Sequence, residues 1–159
     1  MKTQAENYRY DDCGLPYVVL EAVEVSRCPE CGYVEVAIHG VENVHRRIAW
    51  VVANKDSRLT AAEIRFLRKF VGFSSADFAE VMGVDNATVS RWENGIRAMG
   101  ATADRLVRML AMTHEPVDGY PIDHLKQVVQ NLRQIDSEKA EPVRMDLVRN
   151  EDDWQLAPA

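Results

Sequence analysis

The hydrophobic positions change period along the chain, and each change marks a new kind of element. From Tyr17 to Ser26 β-branched residues alternate partially with polar ones, and from Tyr33 to Ile38 the alternation is cleaner. A period of two is that of a half-buried strand, so two strands are predicted there. Between them Cys28-Pro29-Glu30-Cys31-Gly32 supplies a tight turn, which makes a hairpin with a cysteine knuckle at its tip. After His39-Gly40 the period becomes helical. Val44, Ile48, Val51 and Val52 share one face of residues 41–54, while Arg46 and Arg47 lie on others. The polar run Lys55-Asp56-Ser57-Arg58 then reads as a domain boundary.

A series of short helices with local start and stop signals follows. Thr60-Ala61-Ala62-Glu63 spells a capping box, in which the hydroxyl accepts a first-turn N–H and the carboxylate reaches back. Ile64, Leu67, Phe70 and Val71 form the core stripe behind it, and Gly72 ends that helix. Ser74 with Asp77 caps the next helix, which turns Phe78, Ala79 and Met82 inward before Gly83-Val84. Asp85 can cap a third, running to about Asn94 and stopped by Gly95. Residues 101–112 form a fourth with Leu106, Met109 and Leu110 as its apolar face, and 123–135 a fifth with Leu125, Val128, Val129 and Leu132. Beyond Asp136 the chain is charged and broken by Pro142 and Pro158, which predicts a loose tail. The expected fold is α+β: a small N-terminal β-hairpin domain over 1–57, an all-α bundle of about five helices over 58–136, and a flexible tail over 137–159.

Two short helices joined by a glycine turn make a helix-turn-helix, and the second has the faces needed for DNA. Val89 and Trp92 must turn to the core. Asn86, Ala87, Ser90 and Arg91 then share the opposite side, with Thr88 near them. A helix in the major groove needs this division, because its N-terminal residues reach base edges while its apolar side rests on the scaffold. Arg91 can pair bidentately with guanine, Asn86 with adenine, and Ala87 can pack on a thymine methyl. The amide end of the preceding helix at Ser74 and Ser75 suits a phosphate, and Arg97 is a further phosphate contact. The alternative is a plain bundle with Arg91 as a solvated surface residue.

Charge sharpens this picture. The 159 residues carry a formal net charge of -6, which is unusual for a DNA-binding chain. Residues 1–57 hold -3 of it and residues 114–159 hold -5, whereas 58–113 carry +2. Only the helix-turn-helix segment is positive, and screening over roughly 10 Å makes local charge the relevant quantity. No apolar run is long enough to span a membrane, and residues 1–6 lack the apolar core of a signal peptide, so a cytoplasmic protein is expected. The four histidines (39, 45, 114 and 124) are scattered. No nucleophile setting or glycine-rich phosphate loop is present, so a binding protein rather than an enzyme is expected.

The three cysteines do not read as a secreted disulfide framework. Cys28 and Cys31 have the spacing of half a zinc site. Cys13 is the candidate third ligand, and His39 or His45 the fourth. The same spacing also fits a pair of free thiols on a stable turn. A redox pair is disfavoured, since no helix N-terminus is predicted to lower a thiol pKa there.

Ser74, Ala79, Gly83-Val84, Val89-Ser90, Trp92-Glu93-Asn94-Gly95 and Arg97 together resemble the Cro and lambda-repressor type of helix-turn-helix, over residues 60–112. Asn7-Tyr8-Arg9-Tyr10-Asp11, Gly14-Leu15-Pro16, Val23-Glu24-Val25, residues 27–32 and the helix containing His45-Arg46 resemble the YgiT-type zinc-finger domain. That domain is joined to the same helix-turn-helix in MqsA-type antitoxins, a likeness covering residues 7–112. The resemblance implies a dimeric repressor of its own toxin–antitoxin operon that also masks an RNA-cleaving toxin, with a structural zinc; the first expectation is accordingly a homodimer reading a palindromic operator in double-stranded DNA. Zinc-binding members carry an earlier C-x-x-C that this sequence lacks, and Cys13 does not restore it. The competing expectations are an interaction module, a toxin-neutralising protein or adaptor with little DNA binding, and a stand-alone repressor with no toxin.

Overall fold

The computed structural model describes residues 1–114, 140–150 and 153–158. Along these run strands β1 (Lys2–Arg9), β2 (Val18–Arg27) and β3 (Val34–Ala37). Helices α1 (Val41–Asn54), α2 (Ala61–Phe70), α3 (Ser75–Met82), α4 (Asn86–Glu93) and α5 (Ala101–His114) follow, then strands β4 (Met145–Asn150) and β5 (Asp153–Leu156). The fold is α+β, with N-terminal strands followed by helices. The chain divides into two compact units, one of residues 1–47 with 144–159 and one of residues 48–143. The division falls inside α1, earlier than the polar break at 55–58. The helix expected over 123–135 lies outside the described residues.

The first unit is larger than a hairpin. Its five strands form one sheet in the order β1-β2-β4-β5, with β3 also paired to β2. The β2–β3 hairpin is present in antiparallel register from Glu24↔Ala37 to Arg27↔Val34. β4 pairs with the first half of β2 in parallel, from Val18↔Met145 to Glu21↔Val148. One edge of β2 is therefore shared, its first half by β4 and its second by β3. Residues 137–159, expected as a loose tail, thus supply two strands, and Met145, Leu147 and Trp154 are buried.

A bulge at Ala22 explains the partial alternation of β2. Glu6 pairs with Val23 and Tyr8 with Leu20, so two steps on β1 span three on β2. The extra residue lets Val18 and Leu20 face the core on one phase and Val23 and Val25 on the other. Ala22 takes a left-handed conformation, φ 54°, and its N–H donates to Asn7 Oδ1 at 3.3 Å. A non-glycine residue there is strained by about 1–2 kcal/mol. Ala22 is exposed and gives up no packing, so Ala22→Gly is expected to stabilise this unit by about 0.5–1 kcal/mol. Urea unfolding would read this as a higher midpoint; a lower one would refute the strain.

The second unit follows the local signals closely. Thr60 and Glu63 form the capping box of α2, and Ser74 and Asp77 that of α3. Gly83 ends α3 at φ 65°, where a side chain would be strained, and Asp85 caps α4. Ile64, Leu67, Phe78, Ala79, Val89 and Trp92 are buried. α5 differs from expectation. Leu106 and Met109 are exposed, and the buried positions are Asp104, Val107, Arg108 and Ala111. The reason is an ion pair. Arg108 Nε donates to Asp104 Oδ1 at 2.6 Å, and its other nitrogens donate to the carbonyls of Ala53, Lys55 and Ser57. The guanidinium thereby caps the C-terminal end of α1, and hydrogen bonding rather than apolarity selects the inward face of α5.

Candidate nucleic-acid interface

α4 is held from behind by side chains that sequence reasoning passed over. Arg68 of α2 meets Glu93 with Nε–Oε1 at 2.5 Å and Nη2–Oε2 at 3.2 Å, both residues being buried. Its remaining nitrogen donates to the carbonyl of Phe73 at 2.8 Å, just ahead of α3. One guanidinium therefore ties α2 to the end of α4 and the start of α3. Arg65 adds a bond to the Glu93 carbonyl and one to Asn94 Oδ1. The available signal was positional: Arg68 falls one turn after Ile64 on the buried side of α2, and Glu93 follows the buried Trp92.

With Val89 and Trp92 buried against the scaffold, Asn86, Ala87, Ser90 and Arg91 are exposed together on the outer side of α4. Thr88 is half-buried and belongs to the cap, its N–H donating to Asp85 Oδ1 at 2.6 Å. That N–H holds the Asp85 carboxyl below its ordinary pKa, and Arg91 lowers it further. Ser90 Oγ lies 3.2 Å from Asn94 Nδ2, so its hydroxyl already has one partner. Beyond the helix, the N–H groups of Ile96 and Arg97 both donate to the Arg91 carbonyl, which folds exposed Arg97 back to the end of α4.

The phosphate site expected at the start of α3 is partly occupied. Asp77 Oδ2 accepts from both the N–H and the hydroxyl of Ser74, at 3.3 and 2.6 Å. A carboxylate already serves the helix end there. Exposed Ser75, one residue inside, keeps the first-turn position suited to an anion.

Of the residues expected to hold a metal, Cys28 and Cys31 lie in one turn and the others lie elsewhere. Cys28 and Cys31 flank the β2–β3 turn, with Gly32 N–H bonded to the Cys28 carbonyl at 3.0 Å and Cys28 N–H to the Tyr33 carbonyl at 2.9 Å. The backbone amides of Cys31 and Glu30, then the Cys31 thiol, hydrogen-bond to Cys28 and bring its pKa below the ordinary thiol value. Cys13 is not a third ligand. Its thiol donates to the Tyr10 carbonyl at 3.1 Å, and burial pushes its pKa up. His45 does not join either; its Nε2 lies 3.0 Å from the Tyr10 hydroxyl and its ring stacks on that tyrosine. Among the described residues no three His, Cys, Asp or Glu side chains, His39 included, come together as a metal site.

Among the described residues no helix is long and apolar enough to cross a membrane. No curated protein and no solved structure matches the chain. Residues 64–116, spanning most of α2 through α5, match the family model described as helix-turn-helix; this segment is a helix-turn-helix domain, and it supports a DNA-binding transcriptional regulator.

Proposed function

We propose that the chain is a sequence-specific regulator that reads a palindromic operator in double-stranded DNA as a homodimer. The observation that carries this reading is α4: four exposed residues, Asn86, Ala87, Ser90 and Arg91, stand on a helix whose other side is buried at Val89 and Trp92. Asn86 and Arg91 are the base-reading pair, while Ser75 and Arg97 hold phosphates on either side. Two half-sites would lie about one helical turn apart. Arg91→Ala is expected to weaken operator binding by about 1–3 kcal/mol, roughly 5- to 150-fold, at specific base positions. It should leave the weaker, salt-sensitive binding to unrelated DNA nearly unchanged. Titration of operator and scrambled duplex at two salt concentrations measures both effects, and equal operator binding by parent and variant would remove Arg91 from base readout.

The first unit is the part that DNA reading does not use, and we infer that it receives a protein partner. β1 is an edge strand exposed from Lys2 to Ala5, able to accept a partner's strand. Together with the resemblance to MqsA-type antitoxins, this supports an autoregulating antitoxin whose toxin docks on this unit. Co-purification with the product of the adjacent gene tests it; a toxin held equally well by residues 48–143 alone would exclude the β unit as its receptor.

A further inference from the structure

Ser90 stands on the outer side of α4, and its residue type alone does not say what it reads. A serine hydroxyl carries one proton and two lone pairs, so it serves a donor or an acceptor on a base edge equally well. In a helix that proton commonly turns back to a carbonyl of the preceding turn, as Thr113 Oγ1 does to Met109 at 2.9 Å. Ser90 makes no such bond among the described residues. Its oxygen instead accepts from Asn94 Nδ2 at 3.2 Å, and the same amide nitrogen donates to the Ser90 carbonyl at 2.8 Å.

The direction of that bond is set from the core outward. Arg68 and Glu93 are buried and paired. Glu93 Oε2 lies 3.6 Å from Arg65 Nε, and Arg65 Nη2 donates to the Glu93 carbonyl at 2.8 Å and to Asn94 Oδ1 at 3.1 Å. A guanidinium offers only protons, so the Asn94 amide turns its oxygen to Arg65 and its nitrogen to Ser90. A hydroxyl that accepts one hydrogen bond in this way donates a stronger one. Resting on the reading of α4 as the base-reading helix, we propose that Ser90 is a third base-reading residue. It donates its hydroxyl proton to an acceptor on a base edge, a purine N7, guanine O6 or thymine O4. Asn94 and Arg65 are its positioning residues.

The test begins with the full chain selecting duplexes from a randomised pool. A pool without any enriched sequence would remove base reading altogether, and this proposal with it. On the enriched duplex, Ser90→Ala should lose discrimination at one base pair and keep it elsewhere. Unchanged preference at every position would overturn the proposal and leave the regulator standing. At the pair so located, base analogues then delete one group at a time. Removing one N7, O6 or O4 acceptor should weaken the unmutated protein by roughly 2- to 10-fold and leave Ser90→Ala unaffected. Removing the exocyclic amino group of adenine or cytosine should leave the unmutated protein unaffected, and a loss there in place of the acceptor would overturn the proposal. In Asn94→Asp a carboxylate takes the Ser90 proton, so binding should weaken on all duplexes through the added charge and no longer depend on that acceptor. Retained dependence would overturn the role of Asn94. The analogue series is read on the unmutated protein, so the polarity of the contact is decided even where a variant folds poorly.

Discussion

Asp104→Ala is expected to cost the helical unit about 3–5 kcal/mol, the range for removing one partner of a buried ion pair. Arg108 is fully buried, and among the described residues Asp104 is its single anionic partner; the other three acceptors are the carbonyls of Ala53, Lys55 and Ser57. Removing the carboxylate leaves a guanidinium in low dielectric with neutral acceptors alone. It also orphans the buried N–H of Leu59, which donates to Asp104 Oδ2 at 2.8 Å. Arg108→Met should be costly for the mirror reason, since the Asp104 carboxylate and three carbonyls lose their donor. Changing both residues should cost less than the two single losses added together, because neither charge then stays buried alone. Urea unfolding of the four proteins measures the cycle. A loss below about 1 kcal/mol for Asp104→Ala would mean that water reaches Arg108 and that the pair behaves like an exposed one.

That pair also shows where reading the sequence succeeds and where it stops. The helix starts were legible because their causes are local: Thr60 with Glu63, Ser74 with Asp77, and Asp85 before Thr88 each satisfy first-turn amides within three residues. The DNA-facing side of α4 was legible for a related reason, since burying Val89 and Trp92 leaves one outward direction. The inward face of α5 was not. Residues 106–110 are apolar at every position except Arg108, so hydrophobic periodicity could not choose a side, and the choice was made by carbonyls 50 residues or more away. Arg68 and Glu93 were hidden likewise, because a charged residue reads as surface until its partner is seen.

Strand pairing is the other non-local term. β1 is polar along its length, Lys2-Thr3-Gln4-Ala5-Glu6-Asn7-Tyr8-Arg9, because an edge strand in this position exposes most of its side chains. It has no strong period to detect. β4 and β5 sit in an acidic stretch; β4 pairs with β2, more than 120 residues earlier, and β5 pairs in turn with β4. The cysteines divide the same way. The turn that holds Cys28 and Cys31 is local and was foreseen, while the fate of Cys13 depended on the carbonyls of Tyr10 and Leu15.

Trp154→Ala is expected to destabilise the β unit by about 3–5 kcal/mol, the range for removing a large aromatic from a core. Trp154 is 2% exposed on a strand that sequence reading took for loose chain. Its indole N–H donates to the His39 carbonyl at 3.1 Å, and its own carbonyl accepts from Arg47 Nε at 2.7 Å. Arg47 also pairs with Asp153 at 3.0 Å. The side chain thus fills the core while its backbone helps fix an arginine near the middle of α1. Its loss leaves a cavity and removes the indole donor from the His39 carbonyl. A residue in a solvated tail would change stability by no more than about 0.5 kcal/mol on truncation, so the two descriptions differ by several kcal/mol. Hydrogen exchange separates them further. In Trp154→Ala the β2 amides that pair with β1, β3 and β4 should lose protection together, while the amides of α2 to α4 keep theirs, since the tryptophan belongs to the other unit. Protection unchanged in β2 would return residues 144–158 to a surface appendage and leave the N-terminal strands to fold as a hairpin meander of their own.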